Sequence, residues 1–140
     1  MKVLMLNGSP HPSGVNDLAL YEMEAVFKEN GIETEIVQVG NVAVRGCMAC
    51  GACTNLGKCV FDDVVNEFVE KAKDVDGFIF GSPVHYASAG GAITSFMDRV
   101  FYSASCGKKS NYFLYKPAAA ISSARRAGTT STYDQLNKYF

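Results

Sequence analysis

Val3-Leu4-Met5-Leu6 is an unbroken apolar run, cut off by the turn-rich stretch NGSPHPSGVND, after which Ala19, Met23, Val26 and Phe27 recur on one helical face. Apolar residues without polar alternation suit a strand covered on both sides, and a helix following directly is the usual way to return the chain for a parallel neighbour. The unit then repeats. ETEIVQV places Ile36 on one side and Val37 and Val39 on the other, as in a partly exposed edge strand. Asp62-Asp63 can cap a helix carrying Val65, Phe68, Val69 and Ala72, with Lys71 and Lys73 in its last turn. Phe78-Ile79-Phe80 forms a third strand, Ala89, Ile93, Phe96, Met97 and Val100 a third helical face, Ala118 to Ile121 a fourth strand, and Tyr133 to Phe140 a fourth helix.

This alternation predicts an α/β fold, a flavodoxin-like doubly wound parallel sheet of order 2-1-3-4-(5). The chain is expected to be a single domain over residues 1–140. Ala118 to Ile121 looks covered on both faces, yet no fifth strand follows to protect its free edge. Three explanations fit: a C-terminally truncated chain, an edge covered by a partner subunit, or a four-stranded domain that tolerates its edge.

Charge excludes some functions. Lys plus Arg number 13 and Asp plus Glu 14, scattered without a basic run, so neither nucleic acid nor a membrane surface is an expected partner. The apolar N-terminal run is too short for a secretory signal, and a cytoplasmic location is expected. In a reducing compartment, clustered cysteines point to metal or redox chemistry rather than structural disulfides. GCMACGACTNLGKC places Cys47, Cys50, Cys53 and Cys59 in thirteen residues of a chain with five cysteines. The spacing is open to an iron-sulfur cluster, zinc, thiol chemistry or a plain loop, although the two separated CxxC knuckles of a zinc ribbon are absent. Cys106 lies outside the motif and is expected to be a small core residue.

In an open parallel sheet, ligands lie beyond the carboxyl ends of the strands where strand order reverses. The loops there are GSPHPSGVND, GSPVHYASAGG and SSARRAG. The first suits an anion: Ser9 and Ser13 offer hydroxyls, Gly8 and Gly14 permit close backbone approach, and Asn16 stands where a helix begins with unpaired N–H groups. Pro83, Val84, His85 and Tyr86 could lie along a flat heteroaromatic ring. No GxGxxG follows the first strand, and Cys106 to Ser110 fails as a Walker A loop because Tyr102 stands where its first glycine belongs.

Taken together, NGSPHPSG, GCMACGACTNLGKCVFDD, FGSPVHYASAGGAITSFMDRV and SSARRAG resemble the flavodoxin-like NADPH-dependent FMN reductase family, including its iron-sulfur flavoprotein branch. The resemblance implies that Ser9, His11, Ser13, Gly14, Val15 and Asn16 wrap the FMN phosphate. It places Pro83, Val84, His85 and Tyr86 along the isoalloxazine, and Ser122, Ser123, Ala124, Arg125 and Gly128 in a third flavin-side loop. His11 and Val15 depart from the family's habits, which favour Arg or Lys at the first and Ser, Thr or Cys near the second. It further implies an oxidoreductase that draws electrons from NAD(P)H as co-substrate, reduces bound FMN, and passes them to a flavin, quinone or other small acceptor. The flavin does the chemistry, so no catalytic acid or base is expected. Arg125 and Arg126 could assist the ring, bind a nucleotide phosphate or simply be solvated. The spacing CxxCxxCx5C is similar to the compact motif that ligates a 4Fe-4S cluster in the iron-sulfur branch, while cluster-free relatives carry thiols in the same loop. With a cluster, electrons could instead be relayed from a ferredoxin-like donor. A homodimer or homotetramer is the assembly the family implies.

Overall fold

Lys2–Asn7 (β1) is the central strand from which the sheet grows, pairing in parallel with Glu33–Gln38 (β2) on one side and Gly77–His85 (β3) on the other. Ala118–Ser123 (β5) adds in parallel to β3, so the parallel order is β2-β1-β3-β5, as the 2-1-3-4 prediction requires. The computed structural model describes residues 1–106 and 112–140; the stretch of the Walker A comparison from Gly107 onward lies outside them.

Helices cover both faces. Val15–Glu29 (α1) packs Met23 and Phe27 against Val3, Met5, Leu20 and Ile79. Of the predicted face, Val26 points outward at 58% exposure and Leu20 joins instead, because Leu20, Met23 and Phe27 form the stripe that faces the sheet and Val26 lies off it. On the other face, Val64–Lys71 (α3) and Gly91–Cys106 (α4) enclose Leu4, Leu6, Phe80, Ile93, Phe96 and Met97. Phe68 centres this larger core, edge-on to Phe96 at 5.1 Å. Asp63 caps α3 by accepting from the Val65 N–H at 3.1 Å, as its sequence predicts. Between β2 and α3 lies the one-turn helix Cys53–Leu56 (α2).

Four expectations are corrected. The third strand does not end after Phe80 but runs to His85, since pairing with β5 continues through Pro83 opposite Ser123. It then folds back as a hairpin onto Ser88–Ala89 (β4), so Ala89 is a strand residue rather than part of the third helix. The last helix, Thr129–Asn137 (α5), starts before Tyr133, and its N-terminal Gly128 has φ +96°, a conformation that favours glycine. Finally, Ala118 and Ala119 are exposed: β5 is an edge strand, with no further strand among the described residues paired to its outer side. No helix among the described residues is long and apolar enough to cross a membrane.

Candidate functional site

The loop leaving β1 is organised from beneath by Asn7, which the sequence patterns did not single out. Its buried Oδ1 accepts from the Ser9 N–H at 2.9 Å and from Asn16 Nδ2 at 2.7 Å, while its Nδ2 donates to Asp17 Oδ1 at 2.9 Å. Asp17 Oδ2 in turn accepts from the Ser13 N–H at 2.8 Å, and Ser13 adopts φ +62°. Gly8 donates to the Gly81 carbonyl at 2.7 Å, tying the loop to β3. Gly40 passes so close below that a Cβ there would stand 2.1 Å from the Ser9 carbonyl carbon.

The consequence is a division of labour among the predicted phosphate residues. Ser9 and Asn16 are buried and hold the loop's shape, the Ser9 Oγ accepting from the His11 N–H at 3.2 Å. His11, Ser13 and Val15 are exposed, and Gly14 is the N-cap. No side chain caps α1, and among the described residues the backbone N–H groups of Val15, Asn16 and Asp17 find no protein acceptor. A 15-residue helix thus presents its positive end and three free donors, with the exposed Ser13 just before its N-cap.

Val84 and His85 lie in the β3–β4 hairpin, and Tyr86 at its tip is fully exposed with φ +62°. Val84 and Tyr86 share a cleft of about 320 Å³ with Arg125, Arg126 and Ala127 from the loop after β5. Ser122 and Ser123 end β5, Ala124 and Arg125 are exposed, and Gly128 backs onto Val84, where a Cβ would come within 2.7 Å of its Cγ1. The second and third predicted loops therefore meet.

All four motif cysteines line one narrow pocket, together with Phe61, Arg99 and Tyr102. Left-handed turns at Ala49 (φ +53°) and Gly51 (φ +70°) coil the loop between Cys47 and Cys53. Cys47 and Cys50 are exposed, Cys59 is half-buried and Cys53 buried, which pushes the Cys53 thiol up, Cys106 and Cys50 adding to the shift. Among the described residues, no three His, Cys, Asp or Glu side chains converge as a metal centre. The donor chemistry nevertheless suits a thiolate-ligated cluster, since four sulfurs share one pocket with a buried cation. Cys106 is half-buried rather than a core residue, and its thiol hydrogen-bonds the Tyr102 phenol, raising it.

That cation was missed from the sequence. Arg99, only 1% exposed, pairs with Asp63 through Nη1 to Oδ2 at 2.7 Å and Nη2 to Oδ1 at 2.9 Å. Burial works against its charge, but hydrogen bonds to Asp63 and Cys59 outweigh it and raise the guanidinium pKa. The heptad-like apolar face of α4 hid it, because an arginine between Asp98 and Val100 reads as solvated.

The family model of NADPH-dependent FMN reductases matches residues 1–140. The chain belongs to that family. An iron-sulfur flavoprotein of Methanocaldococcus jannaschii is 32% identical over 143 residues, covering 100% of this chain and 72% of that relative. An iron-sulfur flavoprotein of Methanosarcina thermophila is 30% identical over 141 residues, covering 99% of this chain and 72% of that protein. Both bear out the resemblance to the iron-sulfur branch. Among solved structures, the flavoenzyme NAD(P)H:(acceptor) oxidoreductase of Paracoccus denitrificans superposes with TM-score 0.72 at 18% identity, covering 99% of this chain and 70% of that one. An FMN-dependent NADH-azoreductase of Bacillus anthracis in complex with FMN gives 0.67 at 14% identity, covering 100% and 80%. At these identities the structural likeness establishes the flavodoxin-like fold, and the family match establishes the class, an oxidoreductase.

Proposed function

We propose that this family member binds FMN across the carboxyl ends of β1, β3 and β5 and uses it to carry electrons from NAD(P)H to a flavin, quinone or other small acceptor. The observation that carries this is the uncapped N-terminus of α1, whose three free N–H groups lie beside Ser13 in a loop already braced by Asn7 and Asp17. Bound FMN supplies a ring that takes up two electrons and can release them singly or together. The protein's part is to hold and shield. Ser13, Gly14 and the backbone of Val15 and Asn16 receive the phosphate, Ser9 and His11 keep the loop closed, and Pro83 to Tyr86 flank the ring. Ser122 to Arg125 and Gly128 border its far edge, where backbone donors favour negative charge on the reduced ring.

Titrating the purified protein with FMN and with riboflavin tests the phosphate site. FMN should bind at least tenfold more tightly, and Ser13→Asp, which suits the local φ but puts a carboxylate beside the phosphate, should erase that preference. Equal affinity for the two flavins in the unaltered protein would refute the placement. Anaerobic NADPH should bleach the bound flavin; a persistently oxidised spectrum would argue against the nicotinamide donor.

A second reading rests on the shared cysteine pocket: Cys47, Cys50, Cys53 and Cys59 ligate one 4Fe-4S cluster, which relays single electrons between a ferredoxin-like carrier and FMN. Anaerobic reconstitution followed by iron and sulfide analysis should find four of each per chain. Zinc alone, or free thiols and no iron, would overturn it.

A further inference from the structure

Cys59 is held unlike the other three motif cysteines. Asn66 Oδ1 accepts from its N–H at 3.0 Å and Asn66 Nδ2 donates to its carbonyl at 3.0 Å, so its backbone is clamped on both sides. Its sulfur accepts two hydrogen bonds from one side chain, Arg99 Nε at 3.3 Å and Arg99 Nη2 at 3.2 Å. The same guanidinium is pinned by Asp63 and by the Arg45 carbonyl at 3.3 Å, and lies over the Phe61 ring at 5.0 Å. Among the described residues, Cys47, Cys50 and Cys53 receive no side-chain donor of this kind.

We propose that Arg99 is a positioning residue for a cluster at Cys47, Cys50, Cys53 and Cys59, fixing the Cys59 sulfur through two N–H···S hydrogen bonds and raising the cluster's reduction potential. This rests on the cluster reading above. Reduction adds one electron to the cluster, breaks no bond, and leaves more negative charge on the ligating sulfurs. Donors aimed at a sulfur stabilise that form more than the oxidised one. Asp63 offsets much of the net charge of Arg99, so the directed N–H dipoles carry the effect, and burial strengthens them.

Lysine keeps the charge but cannot reproduce the planar fork, which makes Arg99→Lys the informative variant. Wild type and R99K are reconstituted anaerobically and titrated electrochemically, with the cluster followed by electron paramagnetic resonance. The expected result is a lower midpoint potential in R99K, equivalent to at least tenfold weaker electron uptake, about 59 mV for a one-electron couple. Should R99K fail to fold, the double variant Arg99→Met with Asp63→Leu removes the pair together and should show the same fall. Lys28→Gln, a charge change in the last turn of α1 on the opposite face of the sheet, should leave the potential where it was. An assembled cluster whose potential is unmoved by both Arg99 variants overturns the role of Arg99 alone. Wild-type protein that takes up no iron overturns the cluster reading and the proposal with it.

Discussion

At the scale of single residues, Asn7 under the β1 loop and Arg99 under the cysteine loop are buried polar hubs. Each meets several partners at once, so its loss leaves buried and half-buried polar groups without their hydrogen bonds. Asn7→Ala removes the acceptor shared by the Ser9 N–H and Asn16 Nδ2 and should destabilise the fold by about 1–3 kcal/mol, read from the urea midpoint. Asp63→Ala leaves Arg99 without its carboxylate and α3 without its cap, and should cost about 3–5 kcal/mol in the same assay. Neither residue stands out in the sequence. An Asn after an apolar strand and an Arg on a helix are ordinary surface residues until the chain is folded over them. Ser9 and Asn16, by contrast, are legible as loop residues, but only the structure shows that their side chains turn inward and brace the loop.

At the scale of elements, β2 is a partly exposed edge strand that is fastened by charge. Glu35 accepts from Lys71 of α3 and from Lys2 of β1, the latter at 2.9 Å, and these two lysines hold its carboxyl below the ordinary 4.5. A carboxylate depressed on folding stabilises the protein above its unfolded value, and the contribution is lost as pH falls through the lower folded value. Glu35→Gln should therefore be slightly less stable than wild type at pH 7, by under about 1 kcal/mol for so exposed a network, and the gap should be smaller near pH 3. Urea midpoints at the two pH values check this. The strand–helix alternation was readable here because apolar period and turn chemistry are local. The length of β3 was not, since its extension to Pro83 depends on pairing with β5, some forty residues away in the chain, and its last two residues are held by β4.

At the scale of the whole molecule, β5 leaves an open sheet edge beside an aromatic recess of about 320 Å³ lined by Phe78, Phe80, Phe101 and Tyr139. An unprotected edge next to apolar surface favours association between copies. Sedimentation of this 140-residue chain should show concentration-dependent oligomers, and Ala119→Lys on the exposed edge should shift them toward monomer. An unchanged distribution would place the contact elsewhere, for example at the exposed Tyr86 hairpin.

By itself, the sequence determined the parallel α/β order, the three loops at the carboxyl ends of the strands, the family and the compact cysteine motif. Those depend on hydrophobic period, turn residues and short spacings, all of them properties of neighbours along the chain. Only the tertiary structure decided that α1 begins without a side-chain cap, that the hairpin and the β5 loop share a cleft, and that Arg99 reaches Cys59. Each of these depends on burial and on hydrogen bonds between segments far apart in sequence, where a side chain's role is set by what folds over it.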